Sequence, residues 1–206
     1  MKVILVNGSP HKEGCTYTAL TEVAKTLNAE GIETEIFNLA SRDILPCRAC
    51  GACAKLGKCV IDDVVNEFNA MAKDADGFVF GSPVHYAAMS SLCKAFMDRI
   101  FYSGNGVFTL KPAACIVSAR RAGTTAAFEE MLKYFTISQM PVASAGYWNM
   151  VHGSKPEDVL KDEEGMQTMR VVGRNLAWLL KLKEAGDKLG VEPPKQEAKI
   201  RTNFVR

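Results

Sequence analysis

Short apolar runs rich in β-branched residues alternate along this chain with stretches whose apolar residues recur every three or four positions. That alternation leaves few folds open. Lys2–Asn7 is the first such run, closed by Gly8-Ser9-Pro10. From Thr16 to Glu30, residues Leu20, Val23, Ala24 and Leu27 fall on one helical stripe, and Gly31 ends it. Glu33–Leu39 reads as a second strand. Asp62 or Asp63 then caps a helix burying Val64, Val65, Phe68, Met71 and Ala72. Gly77–Gly81 is a third strand, stopped by Ser82-Pro83, and Leu92, Ala95, Phe96 and Ile100 mark the next helix. Ala113–Ser118 is a fourth strand, followed by a helix on Phe128, Met131, Leu132 and Phe135. A short fifth strand is expected at Pro141–Ala145 and a long closing helix at about Glu163–Ala185. Strands separated by helices cannot be antiparallel neighbours joined by tight turns. They imply an α/β fold, a doubly wound five-stranded parallel sheet with helices on both faces. No repeat or linker divides the chain, so residues 1–190 are expected to form one domain and residues 191–206, with Pro193-Pro194 and many charges, a surface tail.

The 206 residues suit one α/β domain, and a net charge of +2 is too small to argue for nucleic acid or an anionic membrane as partner. No apolar run reaches the ~20 residues of a bilayer span. The apolar run after Met1 is too short for a signal peptide, so a cytoplasmic protein is expected. Cysteine is the compositional oddity. Of seven, Cys47, Cys50, Cys53 and Cys59 crowd into thirteen residues, which in a reducing compartment points to a metal or redox site rather than to disulfides.

In a sheet of this kind the ligand lies beyond the carboxyl ends of the strands, near the point where strand order reverses. The loops after strands one, three and four are therefore the places to search. The first, Gly8-Ser9-Pro10-His11-Lys12-Glu13-Gly14-Cys15-Thr16-Tyr17-Thr18, runs into a helix whose opening N–H groups are unpaired and electropositive. With hydroxyls at Ser9, Thr16 and Thr18, and with His11, Cys15 and Tyr17 beside them, it reads as an anion site. Its spacing matches neither the P-loop nor the dinucleotide fingerprint. A terminal monophosphate, such as that of FMN, fits; the bland reading is a plain strand–helix turn. The second loop offers Pro83, Val84, His85, Tyr86 and Ala87 as a shelf for a flat ring system, or as mere cover for the next helix. The third carries Ser118, Arg120, Arg121 and Gly123. Its arginines can offset charge on a reduced ring, grip a pyridine-nucleotide phosphate, or simply be solvated.

Cys47-x-x-Cys50-x-x-Cys53-x5-Cys59 places four thiolates within reach of one centre. They can wrap a [4Fe–4S] cluster, hold tetrahedral zinc, or stay as free thiols. The compact run favours iron–sulfur, since zinc sites more often use two separated pairs. Val60 follows Cys59 where the usual ferredoxin run has proline. Cys15, Cys93 and Cys115 lie outside the block and read as ordinary buried thiols. The aromatic stretch Gly146–Gly153 can face the ring system, form part of a subunit interface or turn a core corner, and its aromatics and Met150 favour the interface.

Gly8-Ser9-Pro10 with Gly14-x-Thr16, Gly81-Ser82-Pro83-Val84-x-Tyr86 followed by Lys94-Ala95-Phe96-Met97-Asp98-Arg99, and the cysteine block together resemble the NADPH-dependent FMN reductase family. Within it the chain is most similar to iron–sulfur flavoproteins. The resemblance covers about residues 1–150. It implies a flavodoxin-like fold, FMN with its phosphate in the first loop and its ring on the second, a third loop closing over it, and a homodimer or homotetramer that completes the pocket. It implies an oxidoreductase that takes electrons from NAD(P)H and reduces a small acceptor such as a flavin, a quinone, or a nitro or azo compound. The alternative is an iron–sulfur flavoprotein carrier with FMN plus [4Fe–4S], fed by ferredoxin. Hydride chemistry at a flavin belongs to the cofactor, so no obligatory catalytic side chain is expected, His85 and His152 included.

Overall fold

The structure, a computed structural model, describes residues 1–200 and residue 202. Its elements follow as β1 (Lys2–Asn7), α1 (Cys15–Ala29), β2 (Glu33–Asn38), α2 (Cys53–Leu56), α3 (Val64–Met71), β3 (Gly77–His85), β4 (Ala88–Met89), α4 (Ser91–Ser103), β5 (Ala113–Ala119), α5 (Thr124–Ile137), β6 (Met150–His152), α6 (Pro156–Val159) and α7 (Glu163–Lys188). The main sheet runs β2-β1-β3-β5-β6, and every pair along it is parallel. The chain steps outward from β1 to β2 and then crosses back to β3. Strand order therefore reverses at β1, and the loops after β1 and β3 flank the switch point.

The period-two rule divides the core. Val3 and Leu5 face one side, with α1, α6 and α7 packed over them; Ile4 and Val6 face the other, under α3, α4 and α5. On the first side Gly173 of α7 lets the two helices meet closely, since a Cβ there would lie 2.8 Å from that of Thr26. The second side is built largely of phenylalanine. Phe68 is fully buried, and its ring lies 5.0 to 6.4 Å from those of Phe37, Phe78, Phe80, Phe96 and Phe108. Asp63 caps α3 by accepting the Val65 N–H at 3.1 Å, and Ser90 caps α4 by accepting that of Cys93 at 3.1 Å.

Two expectations need correction. Pro141–Ala145 makes a single parallel bridge, Val142 to Ala113, and the edge strand proper is Met150–His152. The chain leaves β5 after Ala143 and rejoins it where the Asn149 carbonyl accepts the Val117 N–H at 3.0 Å, so a loop splits the edge strand. The third strand also does not stop at Ser82-Pro83. It continues to His85 and turns back as β4, with Val84 opposite Met89 and His85 opposite Ala88. Proline is tolerated because β1 has ended by Gly81, so Pro83, opposite Ser118 of β5, has a strand on one side only.

Phe68 is the keystone of the aromatic layer, and Phe-to-Ala changes in close-packed cores cost about 3–5 kcal/mol. Phe68→Ala is expected to lower the urea midpoint by that amount of stability without changing the slope of the transition.

Candidate functional site

At the carboxyl end of β1, two backbones pass in contact. The Gly8 N–H donates to the Gly81 carbonyl at 2.8 Å, and the Ser90 hydroxyl donates to the Gly8 carbonyl at 2.6 Å. A Cβ on Gly8 would sit 2.6 Å from Cys93 Sγ and 2.8 Å from the Gly81 oxygen, so no larger residue fits. Beside it Asn7 is fully buried. Its amide donates to the carbonyls of His11 (3.3 Å) and Lys12 (3.1 Å) and to Asn38 Oδ1 (2.9 Å), while its oxygen accepts the Ser9 N–H (3.2 Å). One side chain thus fixes the course of the whole first loop.

Within that loop the Ser9 oxygen accepts the His11 N–H at 3.0 Å, leaving the hydroxyl proton available to a ligand. Gly14 stands at the N-cap of α1 and provides no side-chain partner for the opening N–H groups. Thr16 is turned inward, its hydroxyl 2.8 Å from that of Ser118, which ties the first loop to the third. The Thr18 hydroxyl donates to the Gly14 carbonyl at 3.2 Å. Tyr17 is half-buried, and His11 is exposed. The half-buried Cys15 thiol points to the Gly153 carbonyl at 3.6 Å, and burial pushes its pKa up. A cavity of about 520 Å³ opens here between the loop, Ser41 and the Ser154–Pro156 turn.

The second loop is a tight hairpin whose two turn residues, Tyr86 (φ 48°) and Ala87 (φ 59°), both adopt the left-handed conformation. Such a turn suits Asn-Gly; here it holds a fully exposed tyrosine at its tip. Pro83 and Val84 are half-buried at its base, and His85 and Ala87 are exposed. Gly123 (φ 92°) is pressed against it, where a Cβ would lie 2.8 Å from Ala87 Cα. Arg120 and Arg121 beside it are exposed and form no ion pair among the described residues. The three loops thus meet at one edge of the sheet.

The cysteine block hangs lower, on the flank of α4. Cys47 and Cys50 are exposed, Cys53 and Cys59 half-buried, and all four are free thiols. They line one cavity of about 420 Å³ together with Asp98, Arg99, Tyr102 and Ser103. Among the described residues no three His, Cys, Asp or Glu side chains stand close enough to share an ion; the thiols face a common space without touching a common centre. Below them lies Arg99, 1% exposed, in contact with Cys59 Sγ at 3.3 Å. Cys93 and Cys115 are fully buried, which pushes the Cys93 thiol up to about 12 and Cys115 well above its usual value.

The sequence profile of the NADPH-dependent FMN reductases matches residues 1–155. The chain belongs to that family. It is an FMN-family flavoprotein oxidoreductase, and no helix among its described residues is long and apolar enough to cross a membrane. An iron–sulfur flavoprotein of Methanocaldococcus jannaschii is 35% identical over 191 residues, spanning 88% of this chain and 98% of the relative. Among solved structures, RosB with a bound riboflavin-phosphate intermediate superposes with a TM-score of 0.69 at 15% identity, covering 100% of this chain and 92% of that one. An archaeal flavodoxin gives 0.60 at 15% identity, covering 88% and 99%. These two likenesses confirm the flavodoxin-like fold.

Two residues that organise these sites are not among the candidate site residues: Asn7 under the first loop and Arg99 under the cysteine block. Asn7 is hidden at the end of an apolar run, and Arg99 lies beside a helical core stripe. Asparagine after a β-branched run is the local signal of the first, and the second closes the Lys94–Arg99 run without its role being readable there.

Left-handed backbone costs a non-glycine residue roughly 1–2 kcal/mol. Replacing Tyr86 by Asn together with Ala87 by Gly is expected to raise the melting temperature. A fall instead would mean that the tyrosine packs against something stabilising.

Proposed function

We propose that the protein binds FMN at this edge, with the phosphate in the first loop and the ring against the hairpin of β3 and β4. It takes electrons from NAD(P)H and passes them to a small acceptor such as a flavin, a quinone, or a nitro or azo compound. The observation that carries this reading is the first loop, where a buried serine keeps a proton to donate beside helix N–H groups that have no side-chain cap. Bound flavin supplies the hydride chemistry at its own ring. The chain's residues bind and orient: Asn7 holds the loop, Ser9 meets the phosphate, Thr16 and Ser118 join loops one and three, and Pro83 to Ala87 form the shelf. His11, Cys15, Tyr17 and Thr18 complete the loop's wall and helix start. Gly123 lets the third loop close on the hairpin, while Arg120 and Arg121, which form no ion pair among the described residues, present cations to a reduced ring or a nucleotide phosphate.

The cavity of four thiols favours a second reading, in which the same FMN site works with a [4Fe–4S] cluster held by Cys47, Cys50, Cys53 and Cys59 and electrons arrive from ferredoxin. The donor set fits such a group in kind, being four free thiols open to one space. The relative from M. jannaschii, named as an iron–sulfur flavoprotein, supports it. A cytoplasmic homodimer or homotetramer completes the proposal. Half-exposed Tyr147 and Trp148, 4.8 Å apart in the loop that splits the edge strand, support an interface there. Residues 1–190 act in this reading as one FMN-binding unit with a tail.

A hydrogen bond to a charged group contributes about 1.5–3 kcal/mol, so Ser9→Ala should weaken FMN binding to that extent in a fluorescence titration of the apoprotein. Unchanged affinity would sink the phosphate assignment.

Iron analysis separates the two readings. Anaerobically reconstituted protein should carry about four irons per chain. Cys→Ser at position 47, 50, 53 or 59 should lose or alter the cluster with FMN still bound, whereas the same change at Cys93 or Cys115 should leave the iron in place. Protein that binds FMN but never iron is a plain FMN reductase with idle thiols.

A further inference from the structure

Arginine is almost never fully buried unless its charge is met. The Arg99 side chain is 1% exposed, and the carboxylate of Asp63 meets it through two hydrogen bonds, Nη1 to Oδ2 at 2.6 Å and Nη2 to Oδ1 at 2.9 Å. That pair alone would explain a buried cation. Yet the guanidinium does more. Nη1 also donates to the Leu45 carbonyl at 3.3 Å, and Nη2 donates to the Ile61 carbonyl at 3.0 Å and to Cys59 Sγ at 3.3 Å. Leu45 lies two residues before Cys47, and Ile61 two residues after Cys59. All three extra acceptors therefore belong to the cysteine segment, and two of them are its ends.

We propose that Arg99 is the positioning residue of the cysteine site, closing the loop at its base and presenting a hydrogen bond and a permanent positive charge to Cys59. The proposal rests on the reading that the four cysteines hold a cluster. Joining the two ends of the segment removes much of the chain entropy that would otherwise oppose bringing four thiols to one space. A planar fork is needed for this, because a single guanidinium must reach acceptors on both sides of the loop and a carboxylate at once; lysine, a point charge, cannot. The contact with sulfur has its own consequence. Hydrogen bonds and positive charge at a ligating sulfur stabilise the added electron of a reduced cluster and raise its potential.

Asp63 also caps α3, so the ion pair ties the cysteine loop to that helix. The FMN loops are independent of it. Residue 99 lies nine positions beyond Ser90, or about 13 Å down the helix, and none of its partners belongs to loops one, two or three. The bound flavin therefore serves as an internal control for any change at Arg99.

The test uses FMN-loaded, anaerobically reconstituted full-length protein in three forms: the unaltered chain, Arg99→Lys, and Arg99→Met combined with Asp63→Asn. The double change removes cation and counter-ion together, so no buried charge is orphaned, and asparagine still caps a helix. Measured are iron release to a chelator, the cluster midpoint potential and the flavin midpoint potential. The double variant should bind FMN stoichiometrically at an unchanged flavin potential, release iron about tenfold or more faster, and show a lowered cluster potential. Arg99→Lys should recover part of the potential, through its charge, and little of the retention. Iron release and cluster potential equal to those of the unaltered chain would overturn the proposal. If the double variant does not fold, Arg99→Lys decides by the same two readouts. An unaltered chain that takes up no iron would overturn the cluster reading itself, and with it this role for Arg99.

Discussion

At the end of β1 one residue has no side chain, and the site is arranged around that gap. Gly8 brings the end of β1, the middle of β3 and the start of α4 into direct contact, its N–H on Gly81 and its carbonyl on Ser90. Cys93 fills the remaining space so closely that even a methyl group would collide with it. Because β1 and β3 flank the reversal of strand order, this contact sets the width of the crevice into which loops one and two project. Asn7, one residue earlier, converts that backbone geometry into a fixed loop path through three donated hydrogen bonds and one accepted one. Position and flexibility are thus settled below the loop, in the buried layer, rather than by the exposed residues of the loop itself.

α4 extends this control to a second place. Its first turn is anchored to the glycine contact, and its third carries Arg99 beneath the cysteine block. A helix of thirteen residues buried along one side is stiff; whatever occupies the crevice and whatever the thiols hold are kept at a constant separation, since both are referred to the same rod. If the crevice holds flavin and the thiols a cluster, as proposed, this rod would hold the two centres at a fixed separation.

Much of this was legible in the residues, and the limits have physical causes. The order of strands and helices, the parallel sheet and the three loops at its carboxyl edge follow from periodicity and turn chemistry, which are local. The edge strand was misplaced by several residues because Pro141–Ala145 is apolar enough to begin pairing but leaves after one bridge, and nothing in a linear pattern reports where a chain will rejoin. The hairpin after Gly81 was hidden because its turn uses Tyr-Ala, against the preference of that turn for Asn-Gly. Asn7 and Arg99 were invisible as organisers for a different reason. Their partners lie up to 31 and 54 residues away along the chain, and contacts at that range leave no spacing to read. How Ser9, Thr16 and the arginines share the work of gripping a ligand is likewise a matter of which way each hydroxyl and guanidinium points.

The split edge strand has a bearing on how this molecule lives among other chains. A sheet with a long open margin offers unpaired N–H and C=O groups to any passing strand, and aggregates. On one margin β6 is three residues long, and the loop between Ala143 and Asn149 breaks its line. On the other, β2 carries Glu33 and Glu35 along its short length, and a neighbouring strand would have to bury them. The first margin gives a foreign strand little uninterrupted backbone, and the second guards its six residues with charge. A sheet rich in fully buried phenylalanine and valine is thereby protected at both rims against strand addition.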